Sequence, residues 1–306
     1  MQQTSSKGGL KALLASLADR IEKPIEFLVR VCGWSSIICV VTIFLFILYY
    51  AFPALKEISV WDFFTKTNWH PNHNEYGAFA LIVGNIAVAV VAMVIAVPLG
   101  LGAAVYVSEF AGPKTREWLK IGIEVLAAIP SIVWGFIGLT VISPLLVDHA
   151  GAEIGTNLLN GGIILALMSV PLIVSISEDA LRAVPDSYRE AGLALGANKW
   201  EMVSRVLFPA AKNGLLAACM LGVGRAIGET MAVLLATGNT NQIPHSLLDP
   251  IKTLTATIAS EMNEAPRGGL HYEVLFLVGV LLLLMTCTIN VVADLVIKGT
   301  KQKQNG

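Results

Sequence analysis

Residues 185–209 read PDSYREAGLALGANKWEMVSRVLFP, and their local chemistry specifies two short helices about a turn. Ser187 followed three residues later by Glu190 is a capping-box pattern, so a helix is expected to start there after Pro185 and Asp186. Gly196 supplies a stop. Asn198 with Glu201 repeats the start signal and opens a second helix through Lys199, Met202, Val203 and Val206, until Pro209 interrupts it or opens the next one. Ala191, Gly192, Ala194, Gly196 and Ala197 are small enough for another protein's backbone to approach closely. Such a hairpin suits docking.

Outward from the hairpin, the chain is apolar. Its 306 residues are 55% hydrophobic and 14% charged, with a mean hydropathy of +0.69, whereas soluble chains carry about 25% charged residues. This is a membrane protein. The four cysteines, Cys32, Cys39, Cys219 and Cys287, fall in or beside apolar segments and read as small packing residues rather than a disulfide framework.

Six spans are long enough to cross a bilayer core, which takes about 20 apolar residues. They are expected near 33–53, 79–107, 123–147, 157–177, 211–237 and 274–297. The fold class is an all-α membrane protein with six transmembrane helices. Before them, residues 1–32 form an N-terminal segment in which Leu10, Leu13, Leu14, Leu17 and Ile21 recur at helical spacing among Lys11, Arg20 and Lys23. That pattern reads as an amphipathic helix on the membrane surface, ended by Pro24 and not cleaved as a signal peptide. Residues 54–78 form a long loop, 79–297 a five-helix core containing the hairpin, and 298–306 a tail.

Orientation follows from the basic residues. The N-terminal segment, alternate connections and tail hold five, three, five and three of them, against two, none and two on the other side, with Arg225 inside a span. Both termini and the hairpin are therefore expected in the cytoplasm. Internal Pro130, Pro171, Gly135, Gly222 and Gly228 point to broken helices, tolerated where neighbours or a wet cavity satisfy the freed backbone. In the first outer loop Trp61, Phe63, Phe64, Trp69 and Tyr76 read as either an interfacial aromatic belt or a docking surface. Residues 247–262 have the amphipathic spacing of a short re-entrant or surface helix.

With the topology set, the hairpin resembles the EAA loop of ABC importer membrane subunits. Glu190-Ala191-Gly192, Gly196 and Val206-Leu207-Phe208-Pro209 keep its spacing, with Gly192, Val206 and Phe208 as mild departures. NWHPNHNEYGAFALIVGN (68–85), VPLGLGAAVYVSEF (97–110), LAAIPSIVWGFIGL (126–139) and GRAIGETMAV (224–233) resemble the permease pair of phosphate-specific importers, PstC-type more than PstA-type. The resemblance implies a type I ABC importer permease fold in the inner membrane. It also implies four partners besides lipid: a second, PstA-like permease, a PstB-like ATPase dimer, an extracytoplasmic PstS-like phosphate-binding protein, and phosphate itself. The ATPase contact would fall on Glu190, Ala191, Gly192, Gly196, Lys199 and Trp200.

Arg225 lies within the fifth span, where a charge costs about 2.5–3.5 kcal/mol on insertion scales. Glu229, four residues on, is expected one turn away on the same helix face. The two form either a buried structural pair or an anion contact, with Arg225 offering a fork of donors to phosphate and Glu229 holding it. Thr230 and Ser131 could add hydroxyls to the anion or bond a neighbouring carbonyl. Glu124 reads as an interfacial charge. His70 and His73 lack a third placed ligand, so no metal is expected. There is no nucleotide-binding G-x-x-x-x-G-K-[ST], no cofactor is called for, and nucleic acid is not among the partners. A membrane-embedded hydrolase would need a base inside the bilayer, yet all five histidines fall in outer segments. A self-contained channel or secondary transporter would leave the hairpin without a role. Within the importer class the alternatives are a PstA-type subunit or a sulfate or molybdate permease.

Overall fold

The computed structural model describes the backbone of residues 4–302 and the side chains of residues 24–295. The chain divides into two compact units, Met1–Tyr50 and Ala51–Gly306. The described part of the first is helical: α1 (Thr4–Ala51) runs through Pro24 without stopping. Pro24 therefore does not end an amphipathic helix. From Val31 to Phe46 the helix carries no charged side chain, the pattern of a span. The surface-helix expectation for residues 1–23 concerns side chains outside the described residues.

The second unit opens with α2 (Ala54–Glu57), α3 (Val60–Thr65) and a two-stranded antiparallel hairpin, β1 (Trp69–His70) and β2 (Glu75–Tyr76). Then come α4 (Phe79–Val105), α5 (Pro113–Ala128), α6 (Ser131–Ile137), α7 (Ser143–Ala150), α8 (Leu158–Arg182), α9 (Asp186–Ala194) and α10 (Lys199–Glu201). The unit closes with α11 (Phe208–Gly228), α12 (Met231–Ala236), α13 (Leu254–Glu261) and α14 (Leu270–Gln302). Among the described residues six helical stretches are long and apolar enough to cross a membrane: Pro24–Glu57, Phe79–Phe110, Ser131–Ala150, Leu158–Arg182, Lys199–Gly228 and Leu270–Leu295. The six-span all-α class stands.

α4 and α8 are the central pair, with α11 packed on both. Glycines set their spacing. A Cβ on Gly100 would sit 2.6 Å from Ile173 Cγ2, and one on Gly162 would collide with Val91, so the two backbones approach as small residues allow. Val88, Ala92, Ile164, Leu165, Ala226 and Ala232 fill the core around this contact.

Two spans are broken. Pro130 drives Ile129 out of the helical region to ψ 124, so the expected span at 123–147 is α5 followed by a separate helix from Ser131. The expected helix over 211–237 is likewise two, because Glu229 is extended (φ −70, ψ 137) and the chain re-enters a helix at Met231. Distant groups satisfy the freed backbone there: Asn85 Nδ2 donates to the Ile227 carbonyl at 3.4 Å and Thr255 Oγ1 to the Glu229 carbonyl at 2.7 Å. The break is built, not frayed.

Of residues 247–262 only Leu254–Glu261 form a helix, α13, and its first four residues are buried, so it is shorter than expected and not a surface helix. Its aromatic counterpart is corrected. Phe63, Trp69 and Tyr76 are core residues, while Trp61 and Phe64 are exposed, so the five form neither a common belt nor a common docking surface. Trp69 Nε1 donates to Glu261 Oε2 at 2.9 Å, Lys252 pairs with Glu261, and His271 stacks on Tyr76 with centroids 5.9 Å apart. The cysteines are free, and Cys32, Cys39 and Cys287 are exposed. Those three do not pack inside the chain, whereas Cys219 is half-buried.

Candidate functional site

The hairpin forms as two arms about Gly196, with one local correction. α9 begins at Asp186 with Pro185 in the N-cap position and no side-chain cap. Ser187 therefore falls inside the first turn and closes no box with Glu190. At the other end the Gly196 N–H bonds the Leu193 carbonyl at 2.9 Å and the Ala197 N–H bonds the Gly192 carbonyl at 3.1 Å. That is a Schellman cap, and Gly196 meets its left-handed requirement at φ 80. The second box is realised: Glu201 N–H bonds Asn198 Oδ1 at 2.9 Å and Asn198 N–H bonds Glu201 Oε2 at 3.0 Å. From Lys199 the helix runs without a stop to Gly228, through a wide π turn at Met202–Leu207 that takes up Pro209.

Of the expected docking residues, Glu190, Ala191, Gly196, Lys199 and Trp200 are exposed and Gly192 is buried. A Cβ on Gly192 would lie 2.5 Å from Met202 Cε, so this position knits the two arms together. The tip carries an apolar crest: Leu195 is 89% exposed, Trp200 65% and Leu193 64%. Large apolar side chains clustered at one exposed tip mark an interaction surface.

Arg189, which sequence reasoning passed over, fixes the hairpin to the spans. Its guanidinium donates to the Val184 carbonyl at 2.8 Å and the Leu181 carbonyl at 3.0 Å, at the end of α8. It also pairs with Glu109 at 3.0 Å, where the second span ends in a π turn, and with Asp186 at 3.2 Å. The hydrogen bond to Glu109 raises its pKa above the ordinary arginine value despite the opposing cost of burial. Arg116 braces the same corner by donating to the carbonyls of Val107 and Ser108. A further tie lies in α8, where buried Glu178 bridges Lys120 at 2.8 Å and Arg182 at 3.3 Å. Helical spacing could have indicated the Glu178–Arg182 and Asp186–Arg189 pairs; Arg189 and Glu109 are 80 residues apart.

The expected partnership of Arg225 and Glu229 does not form. Because the helix ends at Gly228, Glu229 leaves the helical register, and its carboxylate instead accepts the Thr230 N–H at 3.1 Å. Among the described residues Arg225 makes no ion pair and is exposed. It lines a cavity of about 220 Å³ between α5, α8 and α11, walled by Met168, Pro171 and Leu172, with Ser175 and Glu124 on the same lining. Ser131 and Thr230 stand at the starts of α6 and α12, two helices packed together, and neither lines the Arg225 cavity. The arrangement offers an unpaired guanidinium beside a helix break, at the far end of the helix that begins in the hairpin.

The family model described as "Binding-protein-dependent transport system inner membrane component" matches residues 96–303. The chain is 37% identical over 262 residues to the phosphate transport system permease protein PstC of Haemophilus influenzae, covering 79% of this chain and 82% of that one. To the probable ABC transporter permease protein YqgH of Bacillus subtilis it is 39% identical over 234 residues, 76% of each chain. A crystal structure of a bacterial alginate ABC transporter superposes with a TM-score of 0.59 at 13% identity, over 85% of this chain and 91% of that one. At that identity the likeness concerns the fold.

Proposed function

This chain belongs to the family of binding-protein-dependent transport system inner membrane components, and on that premise we propose that it is a PstC-type permease subunit of an ATP-driven importer of inorganic phosphate. It forms half of the translocation path. A PstA-like permease forms the other half, a PstB-like ATPase pair docks on the hairpin, and an extracytoplasmic phosphate-binding protein delivers the anion. ATP hydrolysis belongs to the separate ATPase, and the hairpin and both termini lie in the cytoplasm, where the basic residues concentrate.

One observation carries this reading: a single helix, Lys199–Gly228, has the hairpin's second arm at one end and Arg225 at the other. Closure of the ATPase pair pushes the apolar crest. Arg189 passes that push to α8 and the second span, while the continuous helix passes it to Arg225, which turns toward one side of the membrane at a time. The guanidinium offers phosphate a planar set of donors.

The test is ATP-dependent uptake of labelled phosphate and labelled sulfate in proteoliposomes holding the whole complex. Wild type is expected to take up phosphate and not sulfate. Arg225→Gln is expected to lower phosphate uptake by about 30-fold or more, since removing one partner of a charged contact costs roughly 2–5 kcal/mol, with the ATPase still co-purifying. Normal uptake by Arg225→Gln would sink the assignment, and equal sulfate uptake by wild type would change the substrate class.

A further inference from the structure

The Arg225 cavity contains a second charge that the resemblance to known permeases does not assign. Glu124 lies on α5, about one turn before that helix ends at Ala128, and lines the same space of about 220 Å³ as Arg225 and Ser175. Neither Glu124 nor Arg225 is in an ion pair among the described residues. Opposite charges that share a cavity without closing on each other leave room between them for a guest. The guest must satisfy both.

A tetrahedral oxyanion places acceptor oxygens against Arg225, as a guanidinium requires. Its remaining oxygens then face Glu124. A carboxylate is acceptor-only when ionised, so an oxyanion without a proton meets it acceptor to acceptor and charge to like charge. An oxyanion that keeps a proton donates an O–H to Glu124 and turns that repulsion into a charge-assisted hydrogen bond. At neutral pH phosphate keeps at least one proton, whereas sulfate is fully ionised.

We propose that Glu124 is a specificity-determining residue of the path: it accepts a hydrogen bond from a protonated oxyanion held on Arg225, so the cavity admits hydrogen phosphate and refuses fully ionised oxyanions of the same shape. The proposal rests on Arg225 being the anion contact. Its selectivity is separate from that of the binding protein, because it acts on the anion after delivery. Ser175 supplies a hydroxyl to either anion and does not discriminate.

The experiment omits the binding protein and follows the guanidinium itself. The permease pair with its ATPase is treated with phenylglyoxal under increasing inorganic phosphate or sulfate, and modification of Arg225 is read by peptide mass spectrometry. In wild type phosphate is expected to shield Arg225 at a concentration about tenfold or more below that needed for sulfate, the ratio that ~1.4 kcal/mol supplies. Glu124→Gln is expected to bring the two within about threefold, mainly by improving sulfate. Glu124→Asp keeps the acceptor and is expected to keep phosphate ahead. Retained co-purification of the ATPase shows that each variant assembles. Should neither anion shield Arg225 in wild type, the anion-contact reading falls and this one with it. Shielding by phosphate with an unchanged ratio in Glu124→Gln, or an Asp variant as unselective as the Gln variant, overturns the role of Glu124 and leaves Arg225 standing.

Discussion

The hairpin at 185–209 and the helix break at 225–231 are built on opposite principles. In the hairpin every charge near the joint is answered. Arg189 has two carbonyls and two carboxylates around it, Asn198 and Glu201 cap each other, and Gly196 closes the turn. What is left open is the exposed tip, the apolar crest with Glu190 and Lys199 beside it. At the break the backbone is answered, by Asn85 and Thr255, while the one cation is left open beside a cavity. A part that transmits force must hold its shape, so its polar groups are consumed internally. A part that binds an ion must keep a polar group unspent.

The largest effect that would break this contrast is on the crest. Replacing Leu195 and Trp200 together by aspartate puts two charges into a surface meant to be desolvated against a partner. Because the crest is exposed, the fold is expected to persist with unchanged thermal unfolding. Co-purification of the ATPase is expected to be lost, since central aromatic and aliphatic contacts cost about 2 kcal/mol or more each when removed. An ATPase that still co-purifies in normal amount would show that the crest is not the docking surface.

Arg189 sharpens the contrast at intermediate size. Arg189→Ala is expected to loosen the hairpin by ~2 kcal/mol, within the range for hydrogen bonds to charged groups. Amide exchange over residues 186–207 should then quicken by roughly 30-fold. Arg189→Lys is expected to recover less than half of the loss, because a point charge cannot serve two carbonyls and a carboxylate in one plane. Exchange that does not change in Arg189→Ala would mean that the hairpin holds itself together without the spans.

These differences also decide what could be read from the chain alone. The six spans and the hairpin's turn were legible because their signals are local: apolar runs, Gly196, and the Asn198–Glu201 spacing. The same local reading failed at Ser187, where Pro185 takes the cap position and moves the helix start upstream. It failed again at Glu229, where i, i+4 spacing assumes a helix that Asn85 and Thr255 help to end. Both helpers are brought in from more than twenty residues away. Arg189 and Glu109 escaped for the same reason, since their pairing forms only when the second span, α8 and the hairpin assemble, and Glu124, read as an interfacial charge, comes to share a cavity with Arg225 only when α5, α8 and α11 do.

The smallest effect concerns Gly192, which stands where the EAA pattern has its second alanine. A Cβ there would lie 2.5 Å from Met202 Cε and 2.9 Å from Met202 Sδ, and overpacking a rigid core typically costs about 1–3 kcal/mol. Two features reduce that here. The crowding atoms are the far end of an unbranched side chain with three rotatable bonds, and alanine in a helix interior gains roughly 1 kcal/mol over glycine. Gly192→Ala is therefore expected to leave hairpin exchange within about threefold of wild type and ATPase co-purification intact. A loss as large as that of Arg189→Ala would mean that Met202 is pinned, and that the two arms meet at a contact as rigid as the one Arg189 makes with the spans.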